Sequence, residues 1–175
     1  GSLKERLAEK LTKKELSDMQ RAFDTIGNIA IIDVPETLKG KEKLIAEALL
    51  DNKNITTVLM KAGVHSTEFR TIPLSYVAGE KTKETIAKEN GIRLKLDVEK
   101  VYYSPRSSTE RRRVLEQVKK GEEVLVMFSG CGPFTCAIAK NTAAKRVVGV
   151  EKNPLGHEYA VENIRLNKIN NALEI

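Results

Sequence analysis

The sequence has 175 residues, enough for one domain of ordinary size or two small ones. Hydrophobic residues make up 41% of it, which provides for a core and argues against extensive disorder. The formal net charge of +6 weakly favours a polyanionic partner, and the absence of an apolar run of about 18 residues argues against a membrane protein.

The N-terminal part alternates short helical and extended patterns. Residues 3–22 carry apolar side chains at near-helical spacing, and Thr12-Lys-Lys-Glu15 fits a capping box at which two short helices would meet. The β-branched run from Asn28 to Val34 predicts a strand. Lys41 to Leu50 predicts an amphipathic helix, and Ile55 to Met60 predicts a second strand.

Three further extended runs follow, at Phe69 to Val77, Lys83 to Lys88 and Ile92 to Leu96. Asn90-Gly91 between the last two is a hairpin signal. The sequence therefore predicts an N-terminal helical segment (residues 1–22) and then a small α+β domain over residues 23–97 with a mostly antiparallel sheet.

The pattern changes after Asp97. Ser107 or Ser108 is expected to cap a charged helix that runs through Lys119, and a β-α-β-α series continues to the last residue. We place the domain junction near residues 98–105. The predicted fold class is α/β, with the small α+β domain followed by an incomplete Rossmann-like domain over residues 98–175.

A glycine-rich turn is the most informative feature of this second domain. An apolar run from Val124 stops at Gly130-Cys-Gly132, a helical pattern follows, and a second apolar run ends at Glu151. This order is typical of a nucleotide-cofactor site, although a plain βαβ unit would give the same pattern. Glycines would let the backbone approach the ligand, and Glu151 would accept hydrogen bonds from ribose hydroxyls.

The turn lacks features of a phosphate-binding loop. Thr135 occupies the position of a third dinucleotide-loop glycine, and no Gly-Lys-Ser/Thr is present. A bulkier, less anionic ligand such as S-adenosylmethionine fits better. Pro133 suits the first turn of a helix, and Cys131 and Cys136 are interpreted as small packing residues.

No metal site is predicted. The two cysteines have no matching cluster with zinc spacing, and His65 and His157 are isolated. With no disulfide framework expected either, the sequence favours a cytoplasmic protein.

Four motifs together resemble a known family. These are Ser104-Pro-Arg-Ser-Ser-Thr-Glu-Arg111, Met127-Phe-Ser-Gly-Cys-Gly-Pro-Phe134, Glu151-Lys-Asn-Pro154 and Glu162-Asn-Ile-Arg-Leu-Asn167. From about Phe23 onwards the sequence resembles the archaeal and eukaryotic tRNA (guanine-37, N1)-methyltransferases. The related aminocarboxypropyl transferase of wybutosine synthesis is the alternative, disfavoured by Ser-Pro-Arg and Gly-Pro-Phe. The resemblance implies a class I methyltransferase domain, S-adenosylmethionine as cofactor and tRNA as partner.

The resemblance also implies catalytic roles. Glu110 matches a general base for the N1 proton of guanine, Arg70 matches an arginine that stabilises charge on guanine O6, and Arg106 matches a further active-site arginine. Without the resemblance, Glu110 would be interpreted as a helix first-turn carboxylate and Arg70 as a surface strand residue.

Two more sets of residues follow from the resemblance. The cofactor contacts it implies are Tyr102, Phe128, Gly130, Gly132, Pro133, Phe134, Glu151 and Asn153. The phosphate-facing side chains would be Arg106, Arg111, Arg112 and Arg113, which the charge pattern alone would equally describe as a solvated helix face.

The sequence departs from the family at several points. Val126 replaces an acid that helps to hold the methionine end of the cofactor, and Glu151 replaces an aspartate. The family's later strands and its Asn-Pro-Pro segment are not among these residues, so a C-terminal half or a second polypeptide is expected to complete the sheet. The competing hypothesis is a relative that binds RNA without methylating it.

Overall fold

The computed structural model describes residues 3–20, 22–63 and 68–175. The chain forms two compact units, Gly1–His65 with Ile72–Lys83, and Ser66–Thr71 with Glu84–Ile175. The main division between residues 83 and 84 therefore lies upstream of the predicted junction near residues 98–105. The described residues of the predicted helical segment 1–22 belong to the first unit, and Leu7, Leu16 and Met19 pack in its core.

The first unit combines helices with a four-stranded sheet. Its elements are α1 (Leu3–Leu7), α2 (Lys13–Gln20), β1 (Phe23–Ile26), β2 (Ile29–Ile32), a 3₁₀ turn (Glu36–Leu38), α3 (Glu42–Leu50), β3 (Thr57–Lys61) and β4 (Leu74–Gly79). The strand order is β1-β2-β3-β4, with a parallel pair between β2 and β3 and antiparallel pairs on either side. The sheet is thus mostly antiparallel, as predicted.

Local signals account for several of these elements. Thr12 N donates to Glu15 Oε1 at 2.9 Å and Glu15 N donates to Thr12 Oγ1 at 3.1 Å, which confirms the capping box before α2. The single strand predicted at residues 28–34 is instead the second half of a hairpin, which turns at Gly27 with φ 56°. The run predicted from Phe69 becomes a strand only at Leu74.

The second unit contains a hairpin and a parallel sheet. Its elements are β5 (Glu84–Glu89), β6 (Ile92–Asp97), a 3₁₀ turn (Pro105–Ser107), α4 (Ser108–Leu115), β7 (Glu123–Met127), α5 (Pro133–Asn141), β8 (Arg146–Val150), α6 (Pro154–Leu166) and β9 (Ala172–Glu174). Strands β7, β8 and β9 pair in that order and are all parallel. The β5–β6 hairpin turns at Asn90 and Gly91, both with positive φ, as the Asn-Gly signal predicts.

The two faces of the parallel sheet differ. On one face, Val126 and Val147 pack in a core with Ile138 of α5. On the other face of β7, Leu125 is 61% exposed and Met127 is 54% exposed. Parallel sheets are normally covered on both faces. In the part of the chain that the structure describes, the face of β7 that carries Leu125 and Met127 lacks such cover.

Asn163 of α6 and Asn167, the C-cap of α6, hold the hairpin against the rest of the second unit. The Asn163 side chain accepts from Lys95 N at 2.8 Å and donates to Lys95 O at 2.9 Å. Asn167 repeats the pattern on Arg93, at 2.9 and 2.8 Å. The side-chain amides thus pair with the edge of β6 as a neighbouring strand would. These contacts explain why residues 84–97 belong to the second unit and not to the domain predicted over residues 23–97.

Candidate cofactor and catalytic site

The glycine loop connects β7 to α5 in a left-handed conformation. Phe128, Gly130 and Gly132 have φ of 55°, 57° and 94°. A Cβ on Gly132 would lie 3.4 Å from Cys136 Sγ and 3.5 Å from Ala160, so both the conformation and the space favour glycine there. Phe128 adopts this conformation without being glycine, and its side chain is 87% exposed. Such strained residues are concentrated at ligand sites.

Glu151 closes the loop from the end of β8. Its Oε1 accepts from Gly130 N at 2.7 Å, and its Oε2 accepts from Asn153 N at 2.9 Å. Each carboxylate oxygen offers a second acceptor position, which a ribose hydroxyl could use. A strand-end carboxylate beside a left-handed glycine loop and the N-terminus of α5, which begins at Pro133, fits an adenosine-type cofactor.

The segment before α4 lies against this loop. The Tyr102 carbonyl oxygen would be 3.5 Å from a Cβ on Gly130, and the Tyr102 side chain is exposed. Asn153 Nδ2 donates to Lys100 O at 3.0 Å, and Asn153 Oδ1 accepts from Leu155 N at 3.2 Å as the cap of α6. The buried Asn153 side chain therefore holds this segment and α6, which differs from the direct cofactor contact that was predicted.

Arg111 contradicts its predicted role as a phosphate contact. It is 4% exposed, and its Nε and Nη2 donate to the two Glu89 carboxylate oxygens at 2.6 and 2.5 Å. Nη2 also donates to Ser104 O at 2.9 Å, and the guanidinium carbon lies 5.2 Å from the Tyr103 ring centre. The prediction was wrong because one arginine of the basic run faces the core of the unit, whereas its neighbours Arg112 and Arg113 are exposed.

Sequence reasoning did not identify the partners of Arg111. The Tyr103 hydroxyl donates to Glu89, and burial raises the pKa of Tyr103 above its usual value. Phe134, predicted as a cofactor contact, is half-buried and has its ring centre 5.9 Å from the Arg111 guanidinium. No local signal marks these contacts, since Glu89 lies 22 residues before Arg111.

Glu110 lies in the first turn of α4 and is exposed. Arg113 donates to both of its carboxylate oxygens, from Nε at 2.9 Å and from Nη2 at 2.6 Å. The hydrogen bonds from Arg113 lower the pKa of Glu110. A general base works best with a pKa raised toward neutral pH, and the contact with Arg113 shifts the pKa of Glu110 in the opposite direction.

The two remaining catalytic candidates are exposed residues of the same unit. Arg70 has φ 57° and lies outside the strands. Its near neighbour Glu68 pairs with Lys152, which directly follows Glu151, so the segment that carries Arg70 lies near the end of β8. Arg106 belongs to the 3₁₀ turn that leads into α4.

The described residues contain no group of three or more histidines, cysteines, aspartates or glutamates that could hold a metal ion. Within the same part of the chain, no helix is both long and apolar enough to cross a bilayer. Cys131 and Cys136 are free and fully buried, and burial raises the pKa of each thiol to about 12. These values fit small packing residues and not reactive thiols.

The parallel β7-β8-β9 sheet, the left-handed glycine loop and the carboxylate at the end of β8 define a nucleotide-cofactor-binding α/β domain. Comparison with known families is more specific. Residues 85–175 match the TRM5/TYW2 methyltransferase domain, and residues 3–82 match the TYW2 N-terminal domain. The chain belongs to the TRM5/TYW2 methyltransferase family.

Individual relatives agree with this assignment. The chain is 50% identical to the tRNA (guanine(37)-N(1))-methyltransferase Trm5b of Pyrococcus abyssi. The aligned region covers 88% of this chain and 46% of that protein. Among solved structures, aTrm5 in complex with tRNALeu superposes with a TM-score of 0.85 at 32% identity, over 99% of this chain and 53% of that one. TYW2 of P. horikoshii, in complex with MeSAdo, has a TM-score of 0.75 at 29% identity, over 99% of this chain and 61% of that one. The chain spans about half the length of the curated relatives it matches.

Proposed function

We propose that this chain is the cofactor-binding and base-bearing part of a tRNA methyltransferase that modifies N1 of the guanine 3′ of the anticodon. The observation that carries the proposal is the contact between Glu151 Oε1 and Gly130 N, because it assembles the strand-end carboxylate and the glycine loop within one unit. The higher identity to Trm5b than to TYW2 favours methyl transfer over aminocarboxypropyl transfer.

S-adenosylmethionine is the proposed cofactor, and when bound it supplies a methyl group on a positively charged sulfur. Glu151 would accept the ribose hydroxyls, and the Gly130–Gly132 backbone would lie along the ligand. Tyr102, whose side chain is exposed beside the loop, would cover one side of the ligand.

Glu110 is the proposed general base. Guanine N1 holds its proton at neutral pH, so a carboxylate placed beside it helps to remove that proton. The lowered pKa keeps Glu110 ionised, and the carboxylate must exchange its Arg113 contact for guanine N1 to act. Arg70 is the proposed donor to guanine O6, where a permanently charged guanidinium would stabilise the negative charge that develops.

The RNA surface we propose consists of Arg106, Arg112 and Arg113, without the buried Arg111. All three are exposed and lie on the 3₁₀ turn and helix around Glu110. Contacts to phosphates would position the tRNA but would carry no sequence information directly. A tRNA substrate, together with the free cysteines of the described residues, supports a cytoplasmic location.

We further propose that a polypeptide segment outside these 175 residues covers the exposed face of the β7-β8-β9 sheet. The exposed Leu125 and Met127 support this, since a parallel sheet needs cover on both faces. A segment corresponding to the remaining half of the relatives is the occupant we propose.

Methyl incorporation into tRNA tests the function. Transcripts with guanosine or adenosine 3′ of the anticodon are incubated with labelled S-adenosylmethionine and the chain, alone and with the second half of P. abyssi Trm5b. We expect label only in the guanosine transcript, because adenine presents an amino donor where Arg70 would donate to guanine O6 and has no N1–H for Glu110 to accept. We also expect loss of label with Glu110→Gln. Salt-sensitive tRNA binding without label under every condition would instead support the non-catalytic RNA-binding alternative.

A further inference from the structure

A second carboxylate lies under the glycine loop, on a residue for which the sequence suggested no role. Glu174 of β9 accepts from Ser129 Oγ at 2.7 Å and from Thr135 Oγ1 at 3.0 Å. Ser129 and Thr135 are 3% and 0% exposed, and they lie on either side of the two loop glycines. One carboxylate thus joins both ends of the loop to the third strand of the sheet.

The space for this side chain comes from a glycine in the middle of β8. Gly149 pairs with Glu174 in the parallel register. A Cβ on Gly149 would lie 2.1 Å from Glu174 Oε1, so the carboxylate occupies the volume of the missing side chain. The contact explains why Gly149 lies within a strand, although glycine usually weakens a strand. It also explains why the polar Thr135 occupies the position of a third loop glycine, since Thr135 donates to the same carboxylate.

The fold retains this carboxylate at an energetic cost. Burial raises the pKa of Glu174 even though two hydroxyls donate to it. A raised folded-state pKa means that the folded protein binds the proton more tightly than the unfolded chain. Stability therefore falls as pH rises from the ordinary value of 4.5 through the raised value, and the ionised form opposes folding at neutral pH. Residues that cost stability in this way are concentrated at functional sites.

We propose that Glu174 is a positioning residue of the cofactor site, which holds Ser129 and Thr135 so that the glycine loop keeps the shape that binds the cofactor. The inference rests on the proposed function for the identity of that cofactor. Glu174 acts through the loop and need not contact the ligand.

Two substitutions test the proposal by independent routes. Glu174→Gln keeps the size of the side chain but replaces one acceptor oxygen with a donor, so only one of the two hydroxyls can still donate to it. Gly149→Ala keeps the carboxylate and displaces it, because the new Cβ would meet the end of a flexible side chain. Glu158→Gln, on the exposed surface of α6, is the matched control.

Calorimetric titration with S-adenosylmethionine and amide hydrogen exchange of residues 129–135 are measured for each variant. We expect Glu174→Gln and Gly149→Ala each to weaken S-adenosylmethionine binding about tenfold and to speed amide exchange in the loop. Adding Gly149→Ala to Glu174→Ala should weaken binding no further than Glu174→Ala alone. The melting temperature of Glu174→Gln at pH 7 should not fall. Glu158→Gln should match the unmodified chain.

Unchanged affinity and unchanged loop exchange in both variants would overturn the proposal. A lower melting temperature of Glu174→Gln with unchanged affinity would also overturn it, since Glu174 would then be only structural. If the unmodified chain binds no S-adenosylmethionine, the proposed function fails instead, and loop exchange without ligand still decides whether Glu174 holds the loop.

Discussion

At the scale of single residues, neighbouring side chains of α4 have opposite environments. Arg111 is buried against Glu89, whereas Arg112 is exposed one position later. Buried ion pairs contribute little net stability when intact, but the loss of one partner leaves an uncompensated buried charge. The basic run in the sequence therefore contains one structural arginine among arginines that can contact phosphate.

Replacing these two arginines separates the roles. Arg111→Gln is expected to lower the free energy of unfolding by about 3–5 kcal/mol and to leave the salt dependence of tRNA binding unchanged. Arg112→Gln is expected to change stability by less than about 0.5 kcal/mol and to reduce the slope of log K against log salt by about 0.9. Denaturant titrations and binding at several salt concentrations measure both.

Two outcomes would contradict this division of roles. One is a reduced salt slope for a folded Arg111→Gln protein. The other concerns the double variant Glu89→Gln with Arg111→Met, which removes both charges of the buried pair. If this variant recovers none of the stability lost in Arg111→Gln, the uncompensated charge is not the cause of that loss.

The carboxyl of Glu110 should respond to its neighbour Arg113. The guanidinium lowers the pKa of Glu110, so Arg113→Gln is expected to raise that pKa toward the ordinary glutamate value of 4.5. Because the base form exists above the pKa, activity that needs ionised Glu110 would be lost at a higher pH in the variant than in the unmodified protein. Carboxyl carbon NMR titration of both proteins measures the shift without requiring activity, and an unchanged pKa would refute the contact.

At the scale of elements, α6 determines where the second unit begins. Asn163 has no exposed surface, and its amide also donates to Cys131 O at 2.9 Å, so one side chain links the hairpin to the glycine loop. The resemblance had singled out Glu162-Asn-Ile-Arg-Leu-Asn167 without a physical reason. The two amides on β6 supply that reason, because residues four apart lie on the same face of a helix.

Asn163→Asp tests the link between α6 and the hairpin. The substitution removes two donors and places a carboxylate beside two carbonyl oxygens, so we expect the free energy of unfolding to fall by at least about 2 kcal/mol. The exposed Asn170→Asp is the control, with a change below about 0.5 kcal/mol. Equal stability of the two variants in thermal unfolding would mean that the amide contacts on β6 contribute nothing.

At the scale of the whole molecule, the exposed sheet face predicts a missing cover. The isolated chain is expected to bind a hydrophobic dye, and Met127 is expected to oxidise readily in dilute peroxide, because both report exposed apolar surface. Addition of the second half of P. abyssi Trm5b should suppress both signals. Dye binding and Met127 oxidation that persist in a complex would place the cover elsewhere.

Local patterns predicted much of the molecule, and contacts between distant residues explain what they missed. The capping box at Thr12, the hairpin at Asn90-Gly91 and the order of β7, α5 and β8 all depend on neighbouring residues, and the structure contains them. The attachment of the hairpin to α6 depends on side chains about 70 residues away. The same holds for Glu89 with Arg111 and for Glu174 with Ser129, which no local pattern reveals.

The central claim, that this chain carries the cofactor site of a methyltransferase, is tested most directly by calorimetric titration with S-adenosylmethionine. We expect one binding site on the unmodified chain, affinity at least about tenfold weaker in Glu151→Ala, and no change in the exposed control Glu158→Ala. Absence of binding by the folded, unmodified chain, or equal affinity of Glu151→Ala, would contradict the claim.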